Sequence, residues 1–451
     1  MITRHLPITK LSPDDQAHYW VGYYDKQPFS ADNSRLLTHR TTFLDHLPTP
    51  GEPCQIGTIT NGQFTHAATT NAWNWQQGAH LRWSTLPGQE SLLFNDLNDN
   101  AQPIARWVTP QGKQLHSINS PIYAVTPDGQ TNEKIGLTLD FGRLTRLREE
   151  YGYPALADKH PTNPAPKEEG LWKVDLQTGE RTLLVSIHQL AAINTNSFDP
   201  GDIDLTTPSA PHQHINHIMI NPEGTRCCFL HRYDRDDGIL QSRLFTIGLD
   251  GSAPQTPRLL IEGMISHYDW LDDHAILAWG GKRKLLGSGT QTKSPKAKVM
   301  TLARRTLKPI YYAMGKPRFL MNKIMGDSYL IIPDQDDPTT TPFAKGKLTC
   351  DGHNTFFRGN QHIEPNQWMV TDGYPDMKSK QPLYLWDIKQ NQGYEIGRYH
   401  TPKHLDGPVR IDLHPRFSRD AKSICIDSAM NKSRAIYQID ISQLTNPEAT
   451  P

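Results

Sequence analysis

The sequence predicts an all-β fold and, within that class, a seven-bladed β-propeller. Two observations predict it: short apolar strand pairs recur around turns rich in Asp, Gly, Pro or Asn, and almost no helical periodicity separates them. Each copy is followed by a further strand pair, which gives four strands per unit at an average spacing of about sixty residues. A β-sandwich needs far fewer strands, and an α/β fold needs helices between them.

The strand pairs follow one another along the whole chain. The seven copies begin at Tyr23, His80, Pro121, His217, His267, His353 and His414. We expect one propeller domain over residues 1–451, interrupted by loop insertions near residues 142–170 and 282–318. Long loops in a compact domain are usually functional or disordered. The second insertion is strongly basic.

Charge and composition exclude several classes of partner. The 47 basic and 47 acidic side chains cancel, so no overall field attracts nucleic acid or anionic lipid. The N-terminal segment lacks the apolar core of a signal peptide, and no segment has the roughly 18 apolar residues of a membrane span. We therefore expect a cytoplasmic protein. The five cysteines show no CxxC pair, which is typical of reduced, structural thiols.

A histidine recurs at one position of the repeat. Alignment on the turn superposes five histidines, and Lys26 takes their place in the first copy and Ile122 in the third. The five are His80, His217, His267, His353 and His414. The first strand of each blade lines the central channel, so we expect these side chains to form a ring around its mouth. In the alternative interpretation, each histidine is a fold element bonded to a neighbouring blade.

The second strand of each copy returns antiparallel to the first, so its last residues reach the same mouth. These residues are His39, Arg40, Asn95, Asp96, Asp140, His231, Arg232, Asp372 and Asp427. Tyr24 and Tyr374 flank them. A cavity of mixed His, Arg, Lys and Tyr side chains suits an anionic sugar, because a carboxylate needs point charges and hydroxyls need bifunctional partners.

A metal site is the second expectation for this mouth. His353, Asp412 and His414 would supply nitrogen and oxygen ligands for a divalent cation. The motifs GxSxG, GxGxxG and GxxxxGK[ST] are absent, so neither serine-hydrolase chemistry nor nucleotide binding is indicated.

With the repeats laid out, the second half of the chain resembles the oligogalacturonate lyases, seven-bladed propellers that cleave galacturonate oligomers by β-elimination in the cytoplasm with the help of Mn²⁺. The segments that carry the resemblance are "HIMINPEGTRCCFLHRYDRDDGILQSRLFTI", "SHYDWLDDHAILAW", "DGHNTFF" and "IDLHPRFSRD". The first half resembles the family only in architecture.

The resemblance implies residue roles. It places the proposed base on Arg243, the active-site histidine on His267 and the first metal-binding histidine on His353. In the last segment the family has a Gln and two His, whereas this chain has Val409 at the Gln position, Asp412 at one His position and His414 at the other. These departures affect the metal ligands.

The leading hypothesis is a lyase that acts on a uronate-containing oligosaccharide, with a divalent metal such as Mn²⁺. In β-elimination the carboxylate must be neutralised before a base can remove the C5 proton. Arg243 or His267 is the predicted base, Arg232, Lys26 or the metal neutralises the acid, and Tyr374 or Tyr24 protonates the leaving oxygen. The remaining predicted substrate contacts are His80, His217, His231 and Asp372.

Two alternatives remain open at this stage. One is a non-catalytic propeller that binds a glycan or a protein and serves polysaccharide synthesis or export. The other is a scaffold that meets its partners through the basic loop near residues 282–318.

Overall fold

The computed structural model describes residues 1–126, 134–193, 204–235, 240–249, 251, 255–281 and 326–445. Within these residues the strands group into seven four-stranded blades, which confirms the predicted β-propeller. The predicted basic insertion near residues 282–318 lies outside the described residues.

The first three blades follow two short N-terminal strands. These two strands are β1 (Ile2–Thr3) and β2 (Ile8–Lys10). Blade 1 contains β3 (His18–Trp20), β4 (Leu36–Thr41), β5 (Cys54–Thr60) and β6 (Gln63–Thr70). Blade 2 contains β7 (Arg82–Ser84), β8 (Ser91–Leu97), β9 (Pro103–Val108) and β10 (Gln114–Ile118). Blade 3 contains β11 (Ala124–Val125), β12 (Ile135–Thr138), β13 (Gly170–Asp175) and β14 (Arg181–Ser186).

Blades 4 and 5 share one long strand. Blade 4 contains β15 (Gln213–Ile220), β16 (Arg226–Asp234), β17 (Leu240–Gly248) and the first half of β18 (Arg258–Trp270). The second half of β18 begins blade 5, which continues with β19 (Ala275–Gly281), β20 (Ser328–Pro333) and β21 (Thr341–Pro342). Blade 6 contains β22 (Thr355–Phe356), β23 (Trp368–Asp372), β24 (Lys380–Asp387) and β25 (Gln392–His400). Blade 7 contains β26 (Arg416–Phe417), β27 (Ser423–Asn431) and β28 (Ser433–Asp440).

The N-terminal strands close the ring. Strand β2 pairs antiparallel with β28 and is the fourth strand of blade 7, so the first and last parts of the chain form one sheet. Strand β1 adds to blade 6 in parallel with β25.

Few helices interrupt the blades in the residues that the structure describes. They are α1 (Phe141–Leu147), α2 (Ile187–Ala191), α3 (Ser442–Thr445) and two 3₁₀ helices at Glu149–Tyr151 and Gly407–Val409. The Asp140 side chain caps α1 by accepting from the backbone N–H groups of Gly142 and Arg143. Helix α1 and the first 3₁₀ helix lie in the predicted insertion at 142–170. In the described part of the chain no helix is long and apolar enough to cross a membrane.

Side chains from one blade bind the inner backbone of the next. The His39 imidazole accepts from the Ala79 N–H at 3.0 Å, and the Tyr123 hydroxyl accepts from the His217 N–H at 3.0 Å. The Asn95 amide binds both the N–H and the carbonyl of Ile122, at 2.7 and 2.8 Å. An inner edge strand would otherwise bury unpaired backbone groups.

In the other half of the ring, carboxylates bind the inner backbone of the next blade. Asp269 accepts from the Phe356 N–H at 3.0 Å and Asp372 from the His414 N–H at 3.2 Å. Asp427 accepts from the Val21 N–H at 3.0 Å and so joins blade 7 to blade 1. The prediction that the second-strand ends point into the mouth is therefore wrong for His39, Asn95 and Asp427, because each of these side chains binds backbone of the next blade.

One glycine permits this contact. Gly78 has φ +61°, and a Cβ there would lie 2.3 Å from ring atoms of His39. Only glycine at position 78 lets the His39 imidazole pack against the backbone there and accept a hydrogen bond from the Ala79 N–H.

We expect Asn95→Ala to lower the free energy of unfolding by about 2–4 kcal/mol, because both backbone groups of Ile122 lose a buried partner. Urea denaturation would measure it. Asn100→Ala, on an exposed turn of the same blade, is the control, and its free energy should change by less than about 0.5 kcal/mol. Equal effects for the two variants would contradict the interpretation.

We expect a buried neutral histidine to make the protein sensitive to acid. Burial lowers the pKa of His39 from 6.5 to about 3. Below about pH 6.5 the His39 side chain is protonated in the unfolded chain but stays neutral in the folded chain. The free energy of unfolding therefore decreases by roughly 1.4 kcal/mol for each unit by which the pH is lowered. Urea titrations between about pH 7 and 5 should show a shallower slope for His39→Gln than for the parent protein. His66→Gln, at an exposed site, should keep the parent slope.

Candidate functional site

Backbone irregularities position the histidines at one end of the channel. The pairing of β15 with β16 shifts register around His217, and the pairing of β18 with β19 shifts around His267. His217 and His414 have positive φ values of 54° and 43°, which are uncommon for residues other than glycine. Bulges of this kind re-aim a side chain, and here they turn the imidazoles inward.

Four of the five predicted histidines lie in one aromatic cluster. The ring centroids of His267 and His353 are 3.9 Å apart, and those of His353 and His414 are 4.3 Å apart. Tyr23 joins the fourth histidine to them, because its ring stacks on His217 at 5.2 Å and meets His414 edge-on at 5.0 Å. Each of the four histidines is at most 4% exposed.

Hydrogen bonds fix the orientation of three of these rings through Nδ1. The Nδ1 of His353 lies 3.0 Å from Asp372, that of His267 lies 2.9 Å from Asp351, and that of His414 lies 2.9 Å from the Gly22 carbonyl. An Nδ1–H bound to a carboxylate or carbonyl sets the tautomer and leaves Nε2 with its lone pair.

Three residues could hold a metal ion. Ligand atoms of His353, Asp412 and His414 all lie within 4.8 Å of one another, and all three residues are buried. The Nε2 atoms of His353 and His414 are buried and have no hydrogen-bond partner. Since buried polar atoms are rarely left unpaired, two orphaned imidazole nitrogens beside a carboxylate fit a divalent cation with nitrogen and oxygen ligands.

The electrostatics keep most of these imidazoles neutral. Burial lowers the pKa of His414 and His217 well below 6.5, and the charges of His353 and Arg232, respectively, add to the effect. The pKa of His267 is also lowered, by burial and by His353. Neutral imidazoles are the form that binds metals or accepts protons.

Two neighbouring charges act in the other direction. Burial alone would lower the pKa of His353, but the carboxylates of Asp372, Asp412 and Asp351 together raise it more, so the net value is above 6.5. Burial alone would raise the pKa of Asp412, but Arg410, whose Nε donates to it at 2.8 Å, holds the pKa below its usual value. Asp412 is therefore an anion that faces the histidines.

The insertion between β12 and β13 of blade 3 reaches this end of the channel. The Tyr151 ring lies 5.0 Å from His217, edge to face, and Tyr151 also interacts with Arg410. The two 3₁₀ helices contact one another. Arg148 of the same insertion lowers the pKa of His217 electrostatically. The cluster therefore has cations at its rim.

Three predicted substrate or catalytic residues lie at this end. Tyr374 is half-buried, with its ring 6.1 Å from His267 and 6.3 Å from His353. The ring of Tyr24 is 5.1 Å from His353, although its hydroxyl donates to the Tyr268 carbonyl at 2.8 Å. Arg232 is buried and donates to the Ile265 carbonyl at 2.7 Å.

Two predicted members of the ring lie elsewhere. His80 packs on Tyr123, with ring centroids 4.3 Å apart, and on Phe141. Lys26 pairs with Asp25 and lines a cavity at the opposite end of the channel. For Lys26 the reason is local, because β3 ends at Trp20 and the residues after it form a turn instead of continuing the strand. The alignment assumed an unbroken inner strand in blade 1.

The structure does not bring Arg243 to the histidines. It lies on β17, the third strand of blade 4, where its guanidinium donates to the Leu190 carbonyl at 2.9 Å and lies 3.8 Å from Glu262. His231 is beside it and also binds Gln213 at 2.9 Å. These contacts hold the Arg243 side chain inside blade 4, so its predicted role as a base has no geometric support.

Asp372 was predicted to contact substrate. Its two carboxylate oxygens are bound to the His353 ring, the His353 N–H and the His414 N–H. It is therefore placed to orient the histidines, since both oxygens are occupied.

Sequence reasoning missed four members of the site, namely Asp351, Arg410, Tyr23 and Tyr151. A signal for Asp351 was present, because two of the repeat histidines follow an aspartate in the pattern Asp-x-His, at 351–353 and at 412–414. In the first copy the aspartate orients His267, and in the second it faces the metal ligands. No pattern in the chain pointed to Tyr151, which reaches the site from an insertion.

The chain resembles solved structures of low sequence identity. An oligogalacturonate lyase from Vibrio parahaemolyticus shares 14% identity over 98% of this chain and 95% of that chain, with a TM-score of 0.48. An oligogalacturonate lyase in complex with manganese shares 15% identity over 98% of both chains, with a TM-score of 0.47. The β-propeller domain of the trilobed protease from Pyrococcus furiosus shares 10% identity over 90% of each chain, with a TM-score of 0.39.

No protein-family model and no curated protein matches the chain. Lyases and a protease domain both occur among the similar structures. The likeness therefore assigns no activity.

We expect His353→Ala and His414→Ala to weaken Mn²⁺ binding at least about tenfold, because each removes a ligand nitrogen. Asp372→Asn, which removes no ligand atom but disturbs the hydrogen bonds that orient His353 and hold the backbone of His414, should weaken it by about 10- to 100-fold. Elemental analysis after dialysis against Mn²⁺ would measure this. His404→Ala, at an exposed site, is the control. Full metal content in His353→Ala would contradict the assignment.

Proposed function

We propose that the protein is a polysaccharide lyase that cleaves a uronate-containing oligosaccharide by β-elimination at the histidine end of the channel, with a divalent cation. One observation carries the proposal: two buried imidazole nitrogens without partners face a carboxylate at a rim that bears arginines. The family resemblance of the flanking motifs supports the same reaction class.

His353, His414 and Asp412 are the residues that would hold the cation. When bound, it would neutralise the carboxylate of the sugar and so make the C5 proton more acidic. Arg410 keeps Asp412 ionised, and Asp372 and the Gly22 carbonyl keep both histidine rings in the ligand orientation. The departure from the family at Asp412 replaces one nitrogen donor by an oxygen donor, which suits a hard cation such as Mn²⁺.

His267 is the general base that the geometry favours. Its Nδ1 faces Asp351, its pKa is lowered, and its ring lies against His353, so a neutral Nε2 is available beside the metal ligands. In the reaction His267 takes the C5 proton, the C5–H electrons form the C4–C5 double bond, and the bond from C4 to the glycosidic oxygen breaks. Tyr374 gives a proton to that oxygen.

Arg410 and Arg232 complete the electrostatics of the site. Arg410 is the more exposed of the two, with 21% of its side chain accessible, so it can meet an anionic sugar at the rim. Arg232 is buried beside His217 and holds the backbone of blade 5 in place. Positive charge that is fixed before substrate arrives needs no reorganisation when the carboxylate becomes more basic.

A second candidate function is glycan binding without catalysis. The position of Arg243 favours it, since the residue that the resemblance marks as the base is tied into the wall of blade 4. The two functions differ in one observable, the formation of an unsaturated product.

We expect the Mn²⁺-loaded protein to release C4–C5 unsaturated products from one member of a panel of uronate oligomers, seen as an increase in ultraviolet absorbance. His267→Gln should lower kcat by about 10²- to 10⁴-fold, because the proton acceptor is lost. Asp351→Asn keeps a hydrogen bond to His267 but removes the charge, and it should lower kcat less. His66→Gln should retain full activity.

Saturable binding of an oligomer without formation of an unsaturated product would contradict the lyase assignment and favour the glycan-binding function. Full activity in His267→Gln would leave the reaction class standing but remove His267 as the base.

A further inference from the structure

Most buried arginines of this protein lie beside a carboxylate. The distances are between 2.5 and 3.8 Å, and the pairs are Arg143 with Asp158, Arg226 with Asp334, Arg243 with Glu262, Arg416 with Asp427 and Arg434 with Asp427. This is the expected arrangement, because a buried charge is costly unless it is paired.

Arg232 is an exception. Its Nε donates to the Ser242 hydroxyl at 3.0 Å and its Nη2 to the Ile265 carbonyl at 2.7 Å. It is 5% exposed, and in the described part of the chain its side chain makes no ion pair. The protein therefore buries this cation without a carboxylate beside it.

The fold does not require a charge at position 232. Arg232 lies near the end of the second strand of blade 4 and binds the inner backbone of blade 5. Between blades 2 and 3 the neutral amide of Asn95 binds the Ile122 carbonyl in the same way, at 2.8 Å. A guanidinium adds to this task its charge and further N–H groups, and Nη1 takes part in neither of the two bonds of Arg232.

Three neighbouring side chains have buried polar atoms without a hydrogen-bond partner. These atoms are both ring nitrogens of His214, Nδ1 of His217 and the hydroxyl of Tyr23. His214 lies directly opposite Arg232 in the pairing of β15 with β16, so the two side chains share one face of the blade. Burial lowers the pKa of His217, and Arg232 is the neighbouring charge that adds most to this effect. We call these four residues the Arg232 group.

The Arg232 group offers several hydrogen-bond donors. Burial lowers the pKa of His214 and His217 well below 6.5, so both rings are neutral and each carries one N–H. Burial raises the pKa of Tyr23 well above 10, so its hydroxyl stays protonated. One buried cation surrounded by neutral donors is an arrangement that suits an oxyanion.

The carboxylates on the other side of His214 have a cation of their own. Asp140 and Glu169 line a small cavity together with His214. Their charges act on Arg181, whose pKa burial lowers and these two carboxylates raise.

Arg148 extends the Arg232 group to the rim of the channel. Its charge adds to burial in lowering the pKa of His214, His217 and Arg232, and 25% of its side chain is exposed. Glu150 pairs with it at 2.7 Å, so Arg148 brings no net charge. Its Nε is buried without a hydrogen-bond partner and is a further donor.

The Arg232 group adjoins the metal ligands. The Tyr23 ring stacks on His217 at 5.2 Å and also meets His414 edge-on at 5.0 Å. On the metal side, Asp412 already pairs with Arg410 at 2.8 Å. The candidate site therefore has two positions for an anion, one at the metal ligands and one at Arg232.

We propose that the Arg232 group is a specificity subsite that binds a second oxyanion of the substrate, a carboxylate or a sulfate ester, beside the carboxylate that the cation neutralises. The inference rests on the proposed function, because it concerns a glycan bound at the histidine end of the channel. It deepens that function by giving the substrate two neighbouring charged groups. Donors that are already held in place lose little freedom when the oxyanion binds.

Matched oligosaccharides would test the proposal by calorimetric titration of the Mn²⁺-loaded full chain that carries His267→Gln, which suppresses turnover. The first set is the galacturonate trimer and its three single methyl esters. The second set is a chondroitin sulfate tetramer and its desulfated form. We expect the loss of one charged group to weaken binding at least about tenfold, because a hydrogen bond to a charged group is lost. The set that shows the effect identifies a carboxylate or a sulfate ester as the oxyanion.

Arg232→Gln assigns that charged group to the subsite. The variant removes the cation and keeps an amide N–H for the Ile265 carbonyl. It should weaken the fully charged oligomer at least about tenfold and the oligomer without the subsite anion by less than about twofold. A purely structural role of Arg232 would weaken both oligomers equally.

Tyr23→Phe is a second variant, which removes only the hydroxyl. It should reduce the same preference for the fully charged oligomer, and it tests the subsite if Arg232→Gln does not fold. Lys389→Gln, at an exposed site, is the control and should keep the parent preference. Thermal unfolding of each variant shows whether it has folded.

The outcomes distinguish this proposal from the proposed function. It is overturned if the Arg232 and Tyr23 variants weaken all oligomers by the same factor, if no single charged group affects the affinity, or if no oligomer binds. A preference that depends on Arg232, without unsaturated product from the parent protein, supports the subsite and contradicts the lyase reaction. Unsaturated product without such a preference supports the lyase reaction and overturns the subsite.

Discussion

The propeller depends on how the exposed edge of each innermost strand is satisfied. These strands face the channel, so the backbone groups at their beginnings have no further strand to pair with. A side chain from the preceding blade binds them instead: an imidazole at Ala79, an amide at Ile122, and carboxylates at Phe356, His414 and Val21. The same layer of side chains both joins the blades and surrounds the site.

This layer determines which histidines are free to act. Asp372 binds the backbone of blade 7 and the ring of His353 together, so a contact that holds two blades also orients a candidate metal ligand. His39, by contrast, uses its ring to join blades 1 and 2. The end of the second strand can thus have a purely structural role in one blade, as at His39, and orient a candidate metal ligand in another, as at Asp372. The difference depends on what the neighbouring blade places beside it.

Hydrophobic patterning and turn composition were enough to predict the fold and the group His353, Asp412 and His414, because both follow from a repeat read along the chain. The position of Lys26 could not be predicted, since it depends on where β3 ends and a turn begins. The surroundings of Arg243 depend on contacts with Leu190 and Glu262, which are distant in sequence. Tyr151 enters from an insertion that the repeat does not describe.

The carbonyl of Gly22 accepts from the ring of His414 on one side and from the guanidinium of Arg416 on the other. A single peptide plane is therefore common to both ends of the channel. The ring orientation of His414 therefore depends on a carbonyl that is shared with a buried guanidinium, so a change at Arg416 would also reach a candidate metal ligand without any movement of the blades.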